Sequence, residues 1–496
     1  MTGSVEFVTE REPPRRLVVA LANSLNERGV NYCHWKSNHS LDRALAGHGD
    51  LDLLVSRGDQ AKFHEALAQL RFARVEAPSR LTVPGTEHFY GYDREADDFV
   101  HIHAHFQMIL GHDRTKNYRL PVEDAYLSSS ELRGLLRVPD LNFEYIVFVI
   151  RMTLKYSVWD EIAWNAIRGQ TTKPKPSERV EFDHFVAQVD PSEVSKLLAR
   201  HFPYLDDKLF DACVGGLQGK ASVRRRIVSG RLLQHALRAH NRYLPLLDVG
   251  LRAWRRVTVT ARRRLGGSPR RRLASGGALI AVIGGDGSGK STALDEVYRW
   301  LRTEFDVRRI HLGKPPRSIT TVIVRGLLAG LSRVMKGRRH GENPNAIDRY
   351  RPVFWMVCKA RDRFHSYRKV RRFTVNGGLV VSDRYPHPSL RLMDAPQIEQ
   401  MIDSSIEDSP FVRRMMRVEK RYHEAIGLPE LIVALKVDPE IAVARKTSES
   451  AESVRRRGAE IWNMTWADDS VQVIDASQSK EQVAKELKSL IWARLS

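Results

Sequence analysis

The sequence has few cysteines and no long apolar run. Its 496 residues include 3 cysteines, Cys33, Cys213 and Cys358, which lie too far apart to suggest a disulfide framework or a zinc site. No apolar stretch reaches the roughly 18 residues that a membrane-spanning helix needs. The polar start, residues 1–16, does not resemble a secretory signal. We therefore expect a cytoplasmic location, with peripheral attachment to the inner face of the membrane as an alternative.

Acidic residues are nearly missing from residues 222–275. This stretch holds fifteen arginines, no lysine and one acid, Asp248, and carries about two thirds of the formal net charge of +21. Such a block favours an anionic partner, and it leaves open a membrane surface, nucleic acid or a charged glycan. The alternative is a solvated helix face followed by a linker. We do not expect nucleic-acid binding, because no basic stripe interleaved with aromatic residues accompanies the charge.

Length and pattern predict three regions. Residues 15–135 alternate short helical and strand patterns, whereas 136–261 show the apolar spacing of helices. A linker rich in Gly, Ser, Pro and Arg follows at 262–277. Strand and helix patterns then alternate over 278–496, which predicts an α/β domain with helices on both faces of a parallel sheet.

A glycine-rich loop lies between a predicted strand and a predicted helix of the last region. The apolar run at 278–283 is typical of a strand buried on both faces, and 292–301 has one apolar helical face. The loop between them has the complete pattern of a phosphate-binding P-loop: Gly284, Gly285, Asp286, Gly287, Ser288, Gly289, Lys290, Ser291 and Thr292. Lys290 would contact the β- and γ-phosphates and Ser291 would bind Mg²⁺, so the motif predicts ATP and Mg²⁺ as cofactors.

A second apolar strand, residues 379–382, ends in Asp383 and Arg384. Ligands of α/β sheets bind at the carboxyl ends of the strands. We therefore expect Asp383 to hold Mg²⁺ through water and Arg384 to hold an acceptor phosphate.

The order of these motifs resembles that of thymidylate kinases and related nucleoside monophosphate kinases. Residues 360–363 match the family's Ala-x-Asp-Arg segment, and 378–385 match its Gly-x-Val-Val-x-Asp-Arg-Tyr strand end. The later strands, turn and closing helix are matched by 429–439 and 471–491. The resemblance covers nearly all of 278–496 and implies a P-loop kinase domain.

The resemblance also implies roles for single residues. Asp286 would contact the acceptor sugar, and Arg363 and Arg384 would bind the acceptor phosphate. A lid arginine would neutralise the transferring phosphoryl group, because the loop position where some relatives keep an arginine is Gly287 here. Four lid arginines stay open for this role: Arg445, Arg455, Arg456 and Arg457.

Two segments depart from the family. Residues 386–393 replace a Ser-x-Ala-Tyr-Gln stretch that helps to hold the nucleobase. The resemblance therefore implies phosphoryl transfer but leaves the acceptor open between a nucleotide and a phosphorylated sugar or glycan of polysaccharide biosynthesis. Residues 319–339 are apolar with basic residues at the end, which predicts either a core helix packed on the sheet or a membrane-surface helix.

A pair of carboxylates marks the first region. Asp50 and Asp52 would share one face of a strand, because strand side chains alternate, and this geometry suits two-metal nucleotidyl transfer. With the His-Trp-Lys-Ser segment at 34–37, the stretch resembles bacterial nucleotidyltransferase-like proteins, some of which are fused to thymidylate-kinase-like domains and associated with exopolysaccharide genes. The resemblance implies an α+β nucleotidyltransferase-like domain at 15–135 with Asp50 and Asp52 as metal ligands.

The strand expected to supply a third carboxylate carries histidines instead. His101, His103 and His105 share one face, which can bind a metal or serve packing alone. Asp97 and Asp98, just before this strand, are alternatives for the missing carboxylate.

The leading interpretation is a two-headed enzyme: a nucleotidyltransferase-like head, a helical basic middle and an ATP- and Mg²⁺-dependent thymidylate-kinase-like phosphotransferase. The alternative is a nucleotide-gated scaffold that docks on an anionic membrane through residues 222–275. The sequence leaves open the oligomeric state, the acceptor and the activity of the first head.

Overall fold

The computed structural model separates the chain into two compact units, residues 1–269 and 270–495. The boundary falls inside the segment 262–277, whereas the finer division at residue 136 stays a prediction. Within the described part of the chain, no helix is both long and apolar enough to cross a bilayer. The described residues are 12–76, 82–170, 172–218, 221–264, 270–336, 346–387, 390, 396–401, 409–446, 450–466 and 471–496.

The first unit contains a mixed sheet and two short hairpins. Its strands are β1 Tyr32–His34, β2 Leu51–Val55, β3 Ala73–Glu76, β4 Thr86–Asp93, β5 Asp98–His105, β6 Met108–Leu110, β7 Tyr118–Leu120, β8 Glu131–Arg133 and β9 Leu136–Val138. The sheet runs in the order β1, β2, β5, β4, β3, with β2 parallel to β5 and the other neighbours antiparallel. The register of the parallel pair places Asp52 beside His103.

Helices make up the rest of the first unit. They are α1 Arg16–Glu27, α2 Leu41–Leu45, α3 Gln60–Gln69, α4 Glu123–Ser128, α5 Leu141–Tyr156, α6 Trp159–Ile167, α7 Pro176–Gln188, α8 Pro191–His201, α9 Asp207–Leu217, α10 Val223–Ala236 and α11 Pro245–Arg264. The long α5 begins where the Asp140 carboxylate accepts the N–H groups of Asn142 at 2.9 Å and Phe143 at 3.0 Å. Its side chains are mostly buried in an apolar cluster with α8, α9 and α10.

Several arginines of the basic block bind groups inside the first unit. Arg252 is 4% exposed and pairs with Asp160 at 2.8 Å and with Asp248. Arg256 pairs with Glu161, and Arg242 donates to backbone carbonyls. Part of the formal positive charge is therefore neutralised by α6 and α11 themselves.

The second unit is built on a parallel sheet. Its strands are β10 Arg272–Leu273, β11 Leu279–Gly284, β12 Val307–His311, β13 Leu379–Asp383, β14 Leu431–Lys436 and β15 Val471–Asp475. Five of them form the sheet, in the order β12, β13, β11, β14, β15, and all neighbours are parallel. The expected mixed α/β architecture with a parallel sheet is confirmed, and β11 is its fully buried central strand.

Helices connect these strands. They are α12 Lys290–Glu304, α13 Ile319–Lys336, α14 Ala346–Val375, α15 Ile398–Met401, α16 Pro410–Glu424, α17 Pro439–Arg445, α18 Ala451–Trp462 and α19 Lys480–Leu495. Side chains cap the starts of two of these helices. The Asp438 carboxylate accepts the Glu440 N–H at 2.8 Å, and Ser479 and Gln482 exchange hydrogen bonds as a capping box.

Helix α13 does not pack on the sheet as a core helix should. Several of its large apolar side chains are more than half exposed: Ile319, Val322, Ile323, Leu327 and Leu331. The helix lies against α14 instead, with a cavity of about 690 Å³ whose lining includes Arg317, Arg325 and Trp355. The expectation of a core helix is therefore wrong for these residues.

Candidate phosphate-binding site

The glycine-rich loop joins β11 to α12 at the carboxyl edge of the sheet. Gly287 and Gly289 have φ values of 80° and 81°, a conformation that favours glycine. A Cβ on Gly287 would also lie 2.5 Å from the carbonyl oxygen of Ala442, so the loop packs directly on α17. The Ser288 hydroxyl is buried and has no hydrogen-bond partner in the described part of the chain. A phosphate oxygen would supply that partner, so the loop fits the group its sequence predicts.

Lys290 is the buried cation of the loop. It is 8% exposed, and its Nζ donates to the carbonyl oxygen of Gly285. Burial, aided by the nearby Arg384 and Lys446, lowers the pKa of the Lys290 ammonium to about 8, although Asp286 opposes the shift. The Lys290 ammonium therefore loses its proton more easily than the ammonium of a lysine in water does. An anionic ligand would favour the charged form of Lys290.

Asp286 lies between two cations. The carboxylate belongs to a residue that is 6% exposed, and its Oδ1 is 3.6 Å from the Arg384 guanidinium and 3.5 Å from the Lys446 Nζ. The sequence analysis missed Lys446. Its only signal was its position directly after the helix that Asp438 caps.

Asp383 and Arg384 occupy the end of β13, which pairs with β11 and β12. Asp383 lies beside Val282 and His311 in the register of these strands. Arg384 has a φ of 62°, uncommon for a residue with a side chain, and its carbonyl accepts the Ser382 hydroxyl at 3.1 Å. Mg²⁺ prefers oxygen ligands such as carboxylate and hydroxyl oxygens, so Asp383 and Ser291 could hold that ion.

Arg363 and Arg384 are both expected to bind the acceptor phosphate, but their surroundings differ. It is 2% exposed, and its guanidinium donates to the carbonyl oxygens of Leu312 at 2.9 Å and Gly313 at 3.4 Å. It also lies 3.4 Å from His423, whose pKa falls to about 4 because the ring is buried beside this guanidinium. Arg363 thus fixes the chain that follows β12.

The lid arginines have separate environments. Arg445 donates to the Ala476 carbonyl at 2.8 Å, whereas Arg455 makes a two-fold contact with the Glu440 carboxylate at 2.7 and 3.0 Å. Arg456 is exposed, and the side chain of Arg457 lies outside the described residues. On the lid side, the Lys446 Nζ lies 3.5 Å from the Asp286 carboxylate.

A cavity of about 420 Å³ opens beside the loop. It extends from Gly287 and Thr292 to the chain after β15, where Ala476, Gln478 and Lys480 line it. Sequence reasoning missed these last residues, because they precede a surface helix and match no phosphate-binding pattern. The position suits the remainder of a nucleotide whose phosphates occupy the loop.

Asp50 and Asp52, the carboxylates expected to bind metal in the first unit, have different partners. Asp52 pairs with Lys36 at 2.8 Å and with His103 at 2.9 Å, whereas Asp50 pairs with His101 at 2.6 Å.

Asp97 and Asp98, the alternatives for a third carboxylate, lie at the far end of β5. Asp97 accepts the Tyr92 hydroxyl at 2.7 Å, and Asp98 pairs with Arg15 at 2.9 Å. In the register of β2 and β5, the residue beside Asp52 is His103, five positions from Asp98. At about 3.3 Å per residue, this separation keeps both acids away from Asp52.

Comparisons with known proteins found relatives but no matching family model. "Uncharacterized ATP-binding protein YghR" of Escherichia coli (strain K12) is 30% identical over 176 residues, which cover 34% of this chain and 68% of that protein. "Uncharacterized ATP-binding protein YghS" of the same strain is 24% identical over 227 residues, 44% of this chain and 94% of that protein. "Probable thymidylate kinase" of Pyrobaculum aerophilum is 27% identical over 221 residues, 43% of this chain and 96% of that protein.

These relatives support a P-loop, kinase-like region in the chain and ATP as its ligand. The YghR match combines 30% identity with coverage of 68% of that protein. The chain therefore belongs to the same family as the ATP-binding protein YghR of Escherichia coli.

Proposed function

We propose that the second unit is an ATP- and Mg²⁺-dependent phosphotransferase of the nucleoside monophosphate kinase type. The observation that carries the proposal is the arrangement at the loop. Lys290 and the Ser288 hydroxyl are buried in the glycine-rich loop, and Asp286 lies between Arg384 and Lys446. A site for ATP alone would not need a buried carboxylate flanked by cations, whereas transfer to a polar, charged acceptor would.

Phosphoryl transfer depends mainly on positioning and on neutralising charge. Lys290 would hold the donor phosphates, and Ser291 with Asp383 would hold Mg²⁺, which when bound neutralises charge on the phosphate oxygens. Arg384 would bind the acceptor phosphate, and an arginine of the lid, Arg455 or Arg456, would act on the transferring group. Arg363 is the other arginine proposed for the acceptor phosphate, and it donates to two backbone carbonyls in the ligand-free structure.

The acceptor is a phosphorylated small molecule or glycan. Asp286 would accept a hydrogen bond from an acceptor hydroxyl once that hydroxyl displaces Arg384 or Lys446. A nucleotide and a sugar phosphate both offer a hydroxyl and a phosphate. Residues 386–393 differ from the stretch that helps thymidylate kinases to hold the nucleobase. For this reason we include precursors of polysaccharides among the proposed acceptors.

The test is a substrate screen with labelled ATP and Mg²⁺ on the full chain, against nucleoside monophosphates and sugar phosphates. We expect transfer to one acceptor class and its loss in Lys290→Ala. Lys369→Ala is the matched control, because Lys369 is an exposed lysine of α14. Equal turnover in the wild type and Lys290→Ala, with both proteins folded, would refute the assignment.

Docking on an anionic membrane surface is a second proposed function. The exposed apolar face of α13 supports it, together with the arginines of 222–275 that have exposed side chains. Flotation with vesicles of anionic lipid at low salt should carry the protein upwards, and added salt should weaken this binding. Absence of the protein from the vesicle fraction at low salt contradicts the proposal.

A nucleotidyltransferase-like activity of the first unit is a further proposal. It rests on Asp50, which directly precedes β2, on Asp52 within β2, and on Lys36 beside Asp52. Pyrophosphate release from nucleoside triphosphates, lost in Asp52→Asn, is the measurement that tests it. No release with any of the common triphosphates would remove it.

A further inference from the structure

Three side chains converge on one face of the parallel pair β2 and β5. Asp52 lies beside His103 in the strand register, and His105 follows two residues later on the same face. The Asp52 Oδ1 is 2.9 Å from the His103 Nδ1 and 3.9 Å from the His105 Nε2. One ligand atom from each residue lies within 4.8 Å of the others.

His105 provides an independent sign of a ligand. It is 8% exposed, and its Nε2 is buried without a hydrogen-bond partner in the described part of the chain. A buried polar atom without a hydrogen bond is costly, because it has lost its hydrogen bonds to water. A metal ion bound at this nitrogen would remove that cost.

We propose that Asp52, His103 and His105 form a binding site for a divalent transition metal, with Zn²⁺ as the reference ion. Two imidazole nitrogens and one carboxylate oxygen suit Zn²⁺, Mn²⁺ or Fe²⁺, whereas Mg²⁺ prefers oxygen donors alone. Three protein ligands leave a coordination position open to water or substrate. The site differs from the one expected from sequence, because Asp50 is turned to His101 and only Asp52 contributes a carboxylate.

Lys36 gives the site a competing cation. Its Nζ lies 2.8 Å from the Asp52 Oδ1 and 5.2 Å from the centre of the Trp35 ring. An ammonium at this carboxylate opposes the approach of a metal cation. Lys36→Met should therefore lower the dissociation constant for Zn²⁺ while all three ligands stay in place.

The experiment is calorimetric titration of the chelator-stripped full chain with ZnCl₂, MnCl₂ and MgCl₂. We expect binding of Zn²⁺ to be tighter than that of Mg²⁺. His103→Ala and His105→Ala should each weaken Zn²⁺ binding by more than about tenfold. Loss of a residue that only hydrogen-bonds to a metal ligand already weakens metal binding by about tenfold or more, and these variants remove a ligand itself. His101→Ala is the matched control, since it removes a histidine of the same strand outside the proposed set.

Two further measurements keep the proposal open to refutation if a histidine variant unfolds. Lys36→Met leaves the ligands intact and should tighten Zn²⁺ binding. Co²⁺ bound to the wild type should give visible absorption bands of a site with nitrogen and oxygen ligands. Equal affinity for Zn²⁺ and Mg²⁺, or Zn²⁺ binding that His101→Ala weakens as much as His103→Ala does, would overturn the proposal.

Discussion

ATP binding should depend on pH through Lys290. The pKa of its ammonium is about 8 in the ligand-free site, where burial is the main cause of the lowering. Bound phosphates favour the charged form, so binding above this pKa requires uptake of a proton. If only charged Lys290 binds ATP well, the dissociation constant should rise about tenfold from pH 7 to pH 9, or about 1.4 kcal/mol.

The assay is displacement of a fluorescent ATP analogue across this pH range, with calorimetry in buffers of different ionisation enthalpy. At pH 8.5 we expect uptake of about three quarters of a proton for each ATP bound. Lys290→Arg stays charged and should show no pH slope, and Lys290→Met should bind weakly at every pH. A flat wild-type profile, or the same slope in Lys290→Met, would refute the reasoning.

Three further predictions concern the loop, the basic block and the lid. Gly289→Ala should lower the free energy of unfolding by about 1–2 kcal/mol, because its φ is positive. Gly287→Ala should lower it further and also weaken ATP binding, because the new Cβ would lie 2.5 Å from a backbone oxygen. Thermal melts measure the stability of both variants, and ATP titration measures their binding. Arg252→Ala should lower the free energy of unfolding in urea by about 3–5 kcal/mol, because it removes the arginine that pairs with the buried Asp248, while the exposed Arg224→Ala should change it by less than about 0.5 kcal/mol. Arg455→Ala should lower kcat by about a thousandfold with an unchanged melting temperature; an unchanged kcat would assign the role to another lid arginine.

Local patterns made the second unit predictable. The strand, loop and helix around 284–291 are adjacent in the chain, and their hydrophobic period and glycines indicate them directly. The caps at Asp438 and Ser479 follow the same logic, because each cap depends on a residue two or three positions further along the chain.

Contacts between distant segments were not predictable. Lys446 reaches Asp286 because β14 lies beside β11, which places α17 and the residue after it next to the loop. The charge count of 222–275 could not reveal that Arg252 and Arg256 bind the acids of α6. The apolar pattern of α13 was clear, but a pattern does not say whether a neighbouring element covers it.

The close packing of Gly287 on Ala442 links the loop to the lid side of the site. No side chain separates the two backbones, so a shift of α17 changes the space around the phosphates. Any acceptor that moves α17 must then change ATP affinity, and ATP must change acceptor affinity by the same factor. If this coupling is positive, the proposed kinase would bind ATP more tightly when its acceptor is present, and the acceptor more tightly when ATP is present.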